Sequence, residues 1–168
     1  MKILYDHKIF YLQKYGGISN YFINLCERIK LSHNAKIIAP IYTNNYLEKF
    51  DKKRKFTIIK LQKHYKYTRS FSNSVNSLIF NSYCNIVRPD LVHLTYFDKL
   101  INFKKKFKIV VTVYDLIHEI YEKKYNFKYS KDYKYNYLKI ADQIICISEN
   151  TKKDLIEQSP KGFNLNSE

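Results

Sequence analysis

Two adjacent glycines stand in the stretch Gln13-Lys14-Tyr15-Gly16-Gly17-Ile18-Ser19-Asn20-Tyr21-Phe22, in a chain with three glycines altogether. The apolar run Ile3-Leu4-Tyr5 precedes them, and Ile18, Phe22, Leu25, Cys26 and Ile29 follow at helical spacing. A glycine pair before a helix can take positive φ and admit a ligand close to the backbone. The unpaired N–H groups of the helix start then favour an anion, most commonly phosphate. A plain tight turn before a helix uses the same residues, and the full G-x-G-x-x-G pattern is missing.

Other candidates follow apolar runs. Asp115 and His118 come just after Lys108-Ile109-Val110-Val111-Thr112-Val113 and suit general acid–base work. The competing reading makes Asp115 a turn cap and His118 a loop residue. Tyr114 adjoins them. Glu149 follows Ser148 at a helix start, where the pair reads most simply as a cap. His93 lies inside a strand pattern, where a satisfied core histidine competes with a ligand-binding one. His33 and His64 fall in polar surroundings and read as surface residues. No Ser/His/Asp set, P-loop or H-E-x-x-H is present.

The elements that must position these residues alternate. Strands are expected at Ile3-Leu4-Tyr5, at Lys36-Ile37-Ile38-Ala39-Pro40, and over residues 56–61, 91–95, 108–113 and 143–147. Helices are expected over about 18–31, 70–87, 131–141 and 149–158. In the second of these, Phe71, Val75, Leu78, Ile79, Ser82 and Ile86 share one face, which is expected to be the buried one. Arg88-Pro89-Asp90 ends it, since proline disfavours α conformation in the residue before it. Residues 42–48, 64–69, 98–107 and 116–130 read as connections. The continuous apolar run at 108–113 marks a strand buried on both faces. The pattern predicts an α/β fold with a mostly parallel sheet and helices on both faces. In such a sheet ligands bind beyond the carboxyl ends of the strands. That rule selects Asp6 and His7, Gly16-Gly17, Thr95-Tyr96, Tyr114-Asp115 with His118-Glu119, and Ser148-Glu149.

The chain has 168 residues, 45% of them hydrophobic, which fits one globular domain. Asp6 interrupts the place where a signal peptide needs its apolar region, and no apolar window is long enough to span a membrane. A cytoplasmic protein is expected, with peripheral attachment to the inner face of a membrane as an option. Cys26, Cys84 and Cys146 each fall in apolar runs and read as core thiols, and no metal site is expected. The formal charge is +15. Residues 46–70 and 99–139 each carry a net +7, while the last thirty or so residues are slightly acidic. Basic blocks suit nucleic acid, an anionic membrane or a phosphorylated ligand. An AT-rich coding bias toward Lys, Asn, Ile and Tyr produces the same excess.

Several segments taken together resemble family 4-like glycosyltransferases of the GT-B fold. They are Tyr5-Asp6-His7 with Ile9-Phe10, the Gln13 to Phe22 stretch, and Asp90-Leu91-Val92-His93. Val111-Thr112-Val113-Tyr114-Asp115-Leu116-Ile117-His118-Glu119 and the run from Ala141-Asp142 through Ser148-Glu149-Asn150-Thr151 to Leu155 complete the set. The resemblance covers about residues 2–157 in consistent order. It implies an N-terminal, acceptor-side Rossmann-like domain over 1–158 and retaining transfer from a nucleotide sugar without a metal or other cofactor, while the polar residues 159–168, with no partner element, read as an unstructured tail. Gly16 and Gly17 would lie against the donor's diphosphate, and Asp115 and His118 would line the acceptor side as catalytic candidates. Tyr114, His93 and Glu149 would contact substrate. Many relatives carry histidine where this chain has Tyr114.

The family's donor-side acids have no counterpart here, so a split, frameshifted or decayed gene is expected, inactive without a separate donor-binding half. The expected acceptor is a glycan or lipid-linked sugar of cell-surface polysaccharide or lipopolysaccharide synthesis. The competing reading is a non-enzymatic, basic Rossmann-like protein that binds nucleic acid or an anionic membrane. Nucleic acid is the less favoured partner, because no recognition-module signature is present.

Overall fold

The computed structural model describes residues 1–29, 32–62, 69–97, 107–125 and 131–159. The chain opens with strand β1 (Lys2–Tyr5), the short helix α1 (Lys8–Leu12) and helix α2 (Gly17–Ile29). Strands β2 (Asn34–Ile38) and β3 (Ile41–Tyr42), helix α3 (Asn45–Lys49) and strands β4 (Lys55–Phe56) and β5 (Ile59–Lys60) follow. The second part holds α4 (Arg69–Val87), β6 (Leu91–Leu94), β7 (Lys108–Val113), α5 (Ile117–Tyr125), α6 (Lys131–Ile140), β8 (Gln143–Cys146) and α7 (Glu149–Gln158).

Six strands form one sheet in the order β4-β2-β1-β6-β7-β8, with every pairing parallel. This is the expected fold class. Residues of β1 alternate between two cores, as the period-2 pleat requires. Ile3 and Tyr5 pack with Phe22 and Cys26 of α2, and Leu4 packs with Phe80 and Cys84 of α4. Strand β7 is buried over all but its first residue and lies between β6 and β8, which explains its unbroken apolar sequence.

The sheet runs outward in two directions from β1 and β6. From β1 the chain winds through β2 to β4, and from β6 it winds through β7 to β8. The gap between the carboxyl ends of β1 and β6 is therefore the topological switch point, where open parallel sheets hold ligands.

Several local expectations are corrected. Helix α1 intervenes between β1 and the glycine pair. The connection over 42–48 contains the end of β3 and most of α3, capped by Asn44, whose side chain accepts from the Leu47 N–H at 2.9 Å. The single strand expected over 56–61 is two, in different sheets. The cause is Pro40, whose carbonyl accepts from both Ile58 N (2.8 Å) and Ile59 N (2.9 Å). The chain thus leaves the main sheet after Phe56 and pairs with β3 from Ile59. Part of the irregular segment at 116–130 is α5, whose Ile117 N–H is capped by the Asp115 carboxylate at 3.2 Å.

Strand β8 is an edge strand with alternating exposure, so Cys146 is half-buried while Cys26 and Cys84 are buried. Helix α4 is rotated from its expected phase. Phe71, Leu78 and Ile86 are 70%, 69% and 81% exposed, and Ser72, Asn76, Phe80 and Cys84 face inward. His64, the Lys104-Lys105-Lys106 run and the tail from Pro160 onward lie outside the described residues. No described helix is long and apolar enough to cross a membrane.

Candidate functional site

The carboxyl edge of the sheet carries a buried polar cluster at the switch point. Asp6, the first residue after β1, is fully buried, and Thr95, the first after β6, is nearly so. Thr95 donates its backbone N–H to Asp6 Oδ1 at 2.9 Å and its hydroxyl to the same oxygen. The Thr95 oxygen in turn accepts from the N–H of Ile9 at 3.1 Å, tying the start of α1 to the end of β6. Among the described residues, Asp6 Oδ2 has no hydrogen-bond partner. Burial pushes the Asp6 carboxyl above its usual range, against the pull of Lys8 and the Thr95 bonds.

His7 is equally buried. Its Nε2 lies 3.2 Å from Asn73 Oδ1 on α4, and burial holds its pKa down to about 3. Lys8 is also buried, with its ammonium 5.8 Å from the centre of the Tyr137 ring.

Helix α2 starts at Gly17, and its first turn is capped from upstream. The Gln13 side-chain oxygen accepts from the Ser19 N–H at 3.4 Å, and the Ser19 hydroxyl donates to Gly16 O at 3.0 Å. Neither glycine has positive φ, contrary to one of the two uses expected of the pair. Their value here is space. A Cβ on Gly16 would sit 2.1 Å from the Gln13 oxygen, whereas the position beside Gly17 is open for 4 Å. The Asn20 N–H is also taken, by Gly16 O at 3.1 Å, so among the described residues the N–H groups of Gly17 and Ile18 are the ones left at the start of this thirteen-residue helix.

The remaining candidates gather near the ends of β7 and β8. Tyr114 is half-buried, its ring edge-on to Tyr21 of α2 at 6.1 Å, and burial raises its phenol pKa. That contact joins the α2 side of the edge to the end of β7. Asp115 and His118 are exposed, Asp115 as the cap of α5 and His118 in its first turn. Glu149 is exposed in the first turn of α7, behind Ser148, whose hydroxyl accepts from Thr151 N at 3.1 Å.

His93 stands apart within β6. It is buried, 2.8 Å from Thr112 Oγ1, and packed against Tyr5 and Phe22. Its pKa is held down to about 4 by desolvation. A neutral imidazole with a threonine partner inside the sheet is a packing element in this geometry.

Three further groups escaped the reading of the sequence. Lys134 of α6 forms a buried ion pair with Glu119 of α5 at 2.8 Å and donates to the carbonyl of Asp115 at 2.8 Å. Lys8 sits between His7 and Ile9, and a lone lysine there was the one available signal. Asn73 and Lys134 left none, because each is defined by a partner distant in sequence.

Among the described residues, no group of three His, Cys, Asp or Glu side chains is placed to hold a metal ion. No curated protein matches the chain. Residues 15–161 match the family model Glycosyltransferase Family 4, from the loop before α2 to just beyond α7. That span takes in the glycine pair, the ends of β6, β7 and β8, and all of the parallel sheet except β1, and by it the chain belongs to Glycosyltransferase Family 4.

Proposed function

We propose that this chain is the acceptor-side portion of a retaining glycosyltransferase. It moves a sugar from a nucleotide-sugar donor to a glycan or lipid-linked acceptor in the synthesis of cell-surface polysaccharide or lipopolysaccharide. The observation that carries the proposal is the coincidence of two features. The family match covers the start of α2 and the carboxyl ends of β6 and β7, and the end of β6 forms one side of the sheet's switch point.

In this reading the open side of Gly17 admits the donor's diphosphate to the N–H groups of Gly17 and Ile18 at the start of α2. Asp115 and His118, both exposed at the end of β7, face the acceptor. Asp6 is too deeply buried to touch either substrate and holds β1 against β6 instead. The nucleotide sugar is a co-substrate, and no metal is invoked. Transfer requires a donor-holding half opposite this edge, because charge developing on the departing diphosphate must be met from both sides.

Titration with UDP and GDP, beside a gel shift with single-stranded DNA and RNA, tests the proposal. Nucleoside diphosphate binding without a salt-sensitive shift supports it. A salt-sensitive shift without diphosphate binding overturns it in favour of a nucleic-acid-binding protein. Product formation from labelled nucleotide sugars is expected only when a donor-holding half is supplied. Robust turnover by the chain alone would refute that dependence.

A further inference from the structure

A pocket of about 430 Å³ opens beside the glycine loop, apart from the switch point. Lys14 and Tyr15 form one wall, Asn45 and Lys49 of α3 another, and Lys60 and Gln62 the third. Glu48 is the single acid in the lining, and it is taken up by Lys60 at 2.6 Å, which holds its carboxyl below the usual range. Lys14 and Lys49 have no ion-pair partner among the described residues. Three lysines against one carboxylate leave the described lining with net positive charge, which raises the local potential for an anion.

The walls are held before any ligand arrives. Asn45 N–H donates to Lys14 O at 3.0 Å, and the Asn44 side chain donates to Gln13 O at 2.7 Å while also capping α3. Asn44 is fully buried, so the loop carrying Lys14 and Tyr15 is locked to α3 from beneath. On the β5 side, Leu61 N–H donates to Tyr42 O at 2.7 Å. Tyr15 is 63% exposed yet fixed edge-on against Tyr46 at 5.6 Å. A fixed, exposed aromatic beside amide side chains is what a sugar ring needs: an apolar C–H face to stack and partners for its hydroxyls.

We propose that this pocket binds a phosphorylated sugar, with the phosphate between Lys14 and Lys49, the ring against Tyr15, and hydroxyls on Asn45 and Gln62. Among the described residues, the lining contains no arginine. A planar carboxylate is best met by the guanidinium fork, whereas lysine serves phosphate as a point charge. As the seat of the acceptor, the proposal rests on the function given above. As a sugar-phosphate site, it stands on the pocket alone.

The test is calorimetric titration of the intact chain with glucose, galactose and mannose 1-phosphates, with inorganic phosphate, and with the neutral hexoses. A sugar 1-phosphate is expected to bind at least about tenfold tighter than phosphate or its neutral sugar. The double variant Lys14→Gln/Lys49→Gln should lose at least about tenfold in affinity, with circular dichroism and urea midpoint unchanged. Tyr15→Ala should weaken the sugar phosphate and leave inorganic phosphate unaltered. The same head group on a polyprenyl lipid in phosphatidylcholine vesicles separates the two sources. Sedimentation with those vesicles alone, abolished in the double variant, assigns a lipid-borne ligand and supports the site. Binding to neither form, equal binding of the neutral sugar, or unchanged binding by the double variant overturns it. Sugar-phosphate binding that persists while no transfer occurs with a donor-holding half present would reject the glycosyltransferase reading and keep the pocket.

Discussion

Asp6 and Thr95 lie 89 residues apart and meet at the switch point, where Thr95 gives both its N–H and its hydroxyl to one carboxylate oxygen. The contact closes the gap between the two directions in which the sheet is wound. It also explains why a fully buried acid is tolerated here, since each donor offsets part of its lost hydration.

Thr95→Val keeps the shape and removes the hydroxyl. It takes one donor from Asp6 and the acceptor from Ile9 N–H in a single step. A loss of about 2 to 4 kcal/mol in urea-unfolding stability is expected, since both orphaned groups are buried. Thr95→Ser should recover most of it. A Val variant as stable as the parent would show that the contact is incidental.

Lys134 and Glu119 form the second buried polar junction, with side chains 5% and 1% exposed. Breaking one side strands the other charge, so Glu119→Gln or Lys134→Met should each cost about 3 to 5 kcal/mol. The pair replacement Glu119→Leu/Lys134→Met should cost clearly less than the sum, because no lone charge remains. Lys134 also holds the Asp115 carbonyl, so hydrogen exchange at the start of α5 should rise in every variant that lacks it. Additive costs would argue that the two side chains act independently.

Two buried histidines set a pH dependence of definite sign. His7 and His93 are held down to about 3 and about 4, from an ordinary value of 6.5. Below pH 6.5 the unfolded chain binds protons that the native chain refuses, so stability is full above that pH and falls as pH drops toward the native values. Each histidine contributes about 1.4 kcal/mol per pH unit in that window. Asp6 is displaced upward, and its protonation opposes the loss toward the acid end. Urea midpoints should therefore fall between pH 6.5 and 5, with a shallower slope in His93→Gln. A slope left unchanged by His93→Gln would contradict the burial of that ring.

The sequence periodicity of α2 and α4 is equally plain, yet only in α2 does the apolar face coincide with the buried one. In α2 the apolar positions Phe22 and Cys26 are the buried ones. In α4 the inward face carries Asn73 and Asn76, because there is backbone and side-chain polarity for them to meet. Asn76 accepts from Ile41 N at 2.7 Å and donates to Ile41 O at 2.9 Å, and Asn73 reaches His7. Long-range partners of this kind decide the phase and leave no local signal. The strands, by contrast, depend on local apolar runs, which is why the parallel sheet was legible and β7 was predicted residue for residue. The same division holds at the edge: the apolar runs mark Asp6 and Thr95 as strand ends, but nothing local marks their bond to each other. Leu78→Ser and Phe71→Ser should change stability by less than about 0.5 kcal/mol, and Phe80→Ala should cost about 3 to 5 kcal/mol. A large loss at Leu78 would place the buried face where the periodicity put it.

Gly16 and Gly17 are adjacent but answer to different constraints. At Gly16 a Cβ would meet the Gln13 amide, so Gly16→Ala must displace that side chain and deprive Ser19 N–H of its acceptor. A cost of about 1 kcal/mol, the usual worth of a helix cap, is expected. At Gly17 a Cβ meets nothing, and the backbone has no positive φ to forbid one. Gly17→Ala should therefore leave stability unchanged or raise it by up to about 1 kcal/mol through the unfolded state. The space that makes the substitution harmless to the fold is the space the proposed diphosphate would fill. If Gly17 serves the donor, the alanine variant should be at least as stable as the parent and bind UDP or GDP more weakly. Undiminished diphosphate binding in a stable Gly17→Ala protein would mean that the open side of α2 faces no ligand.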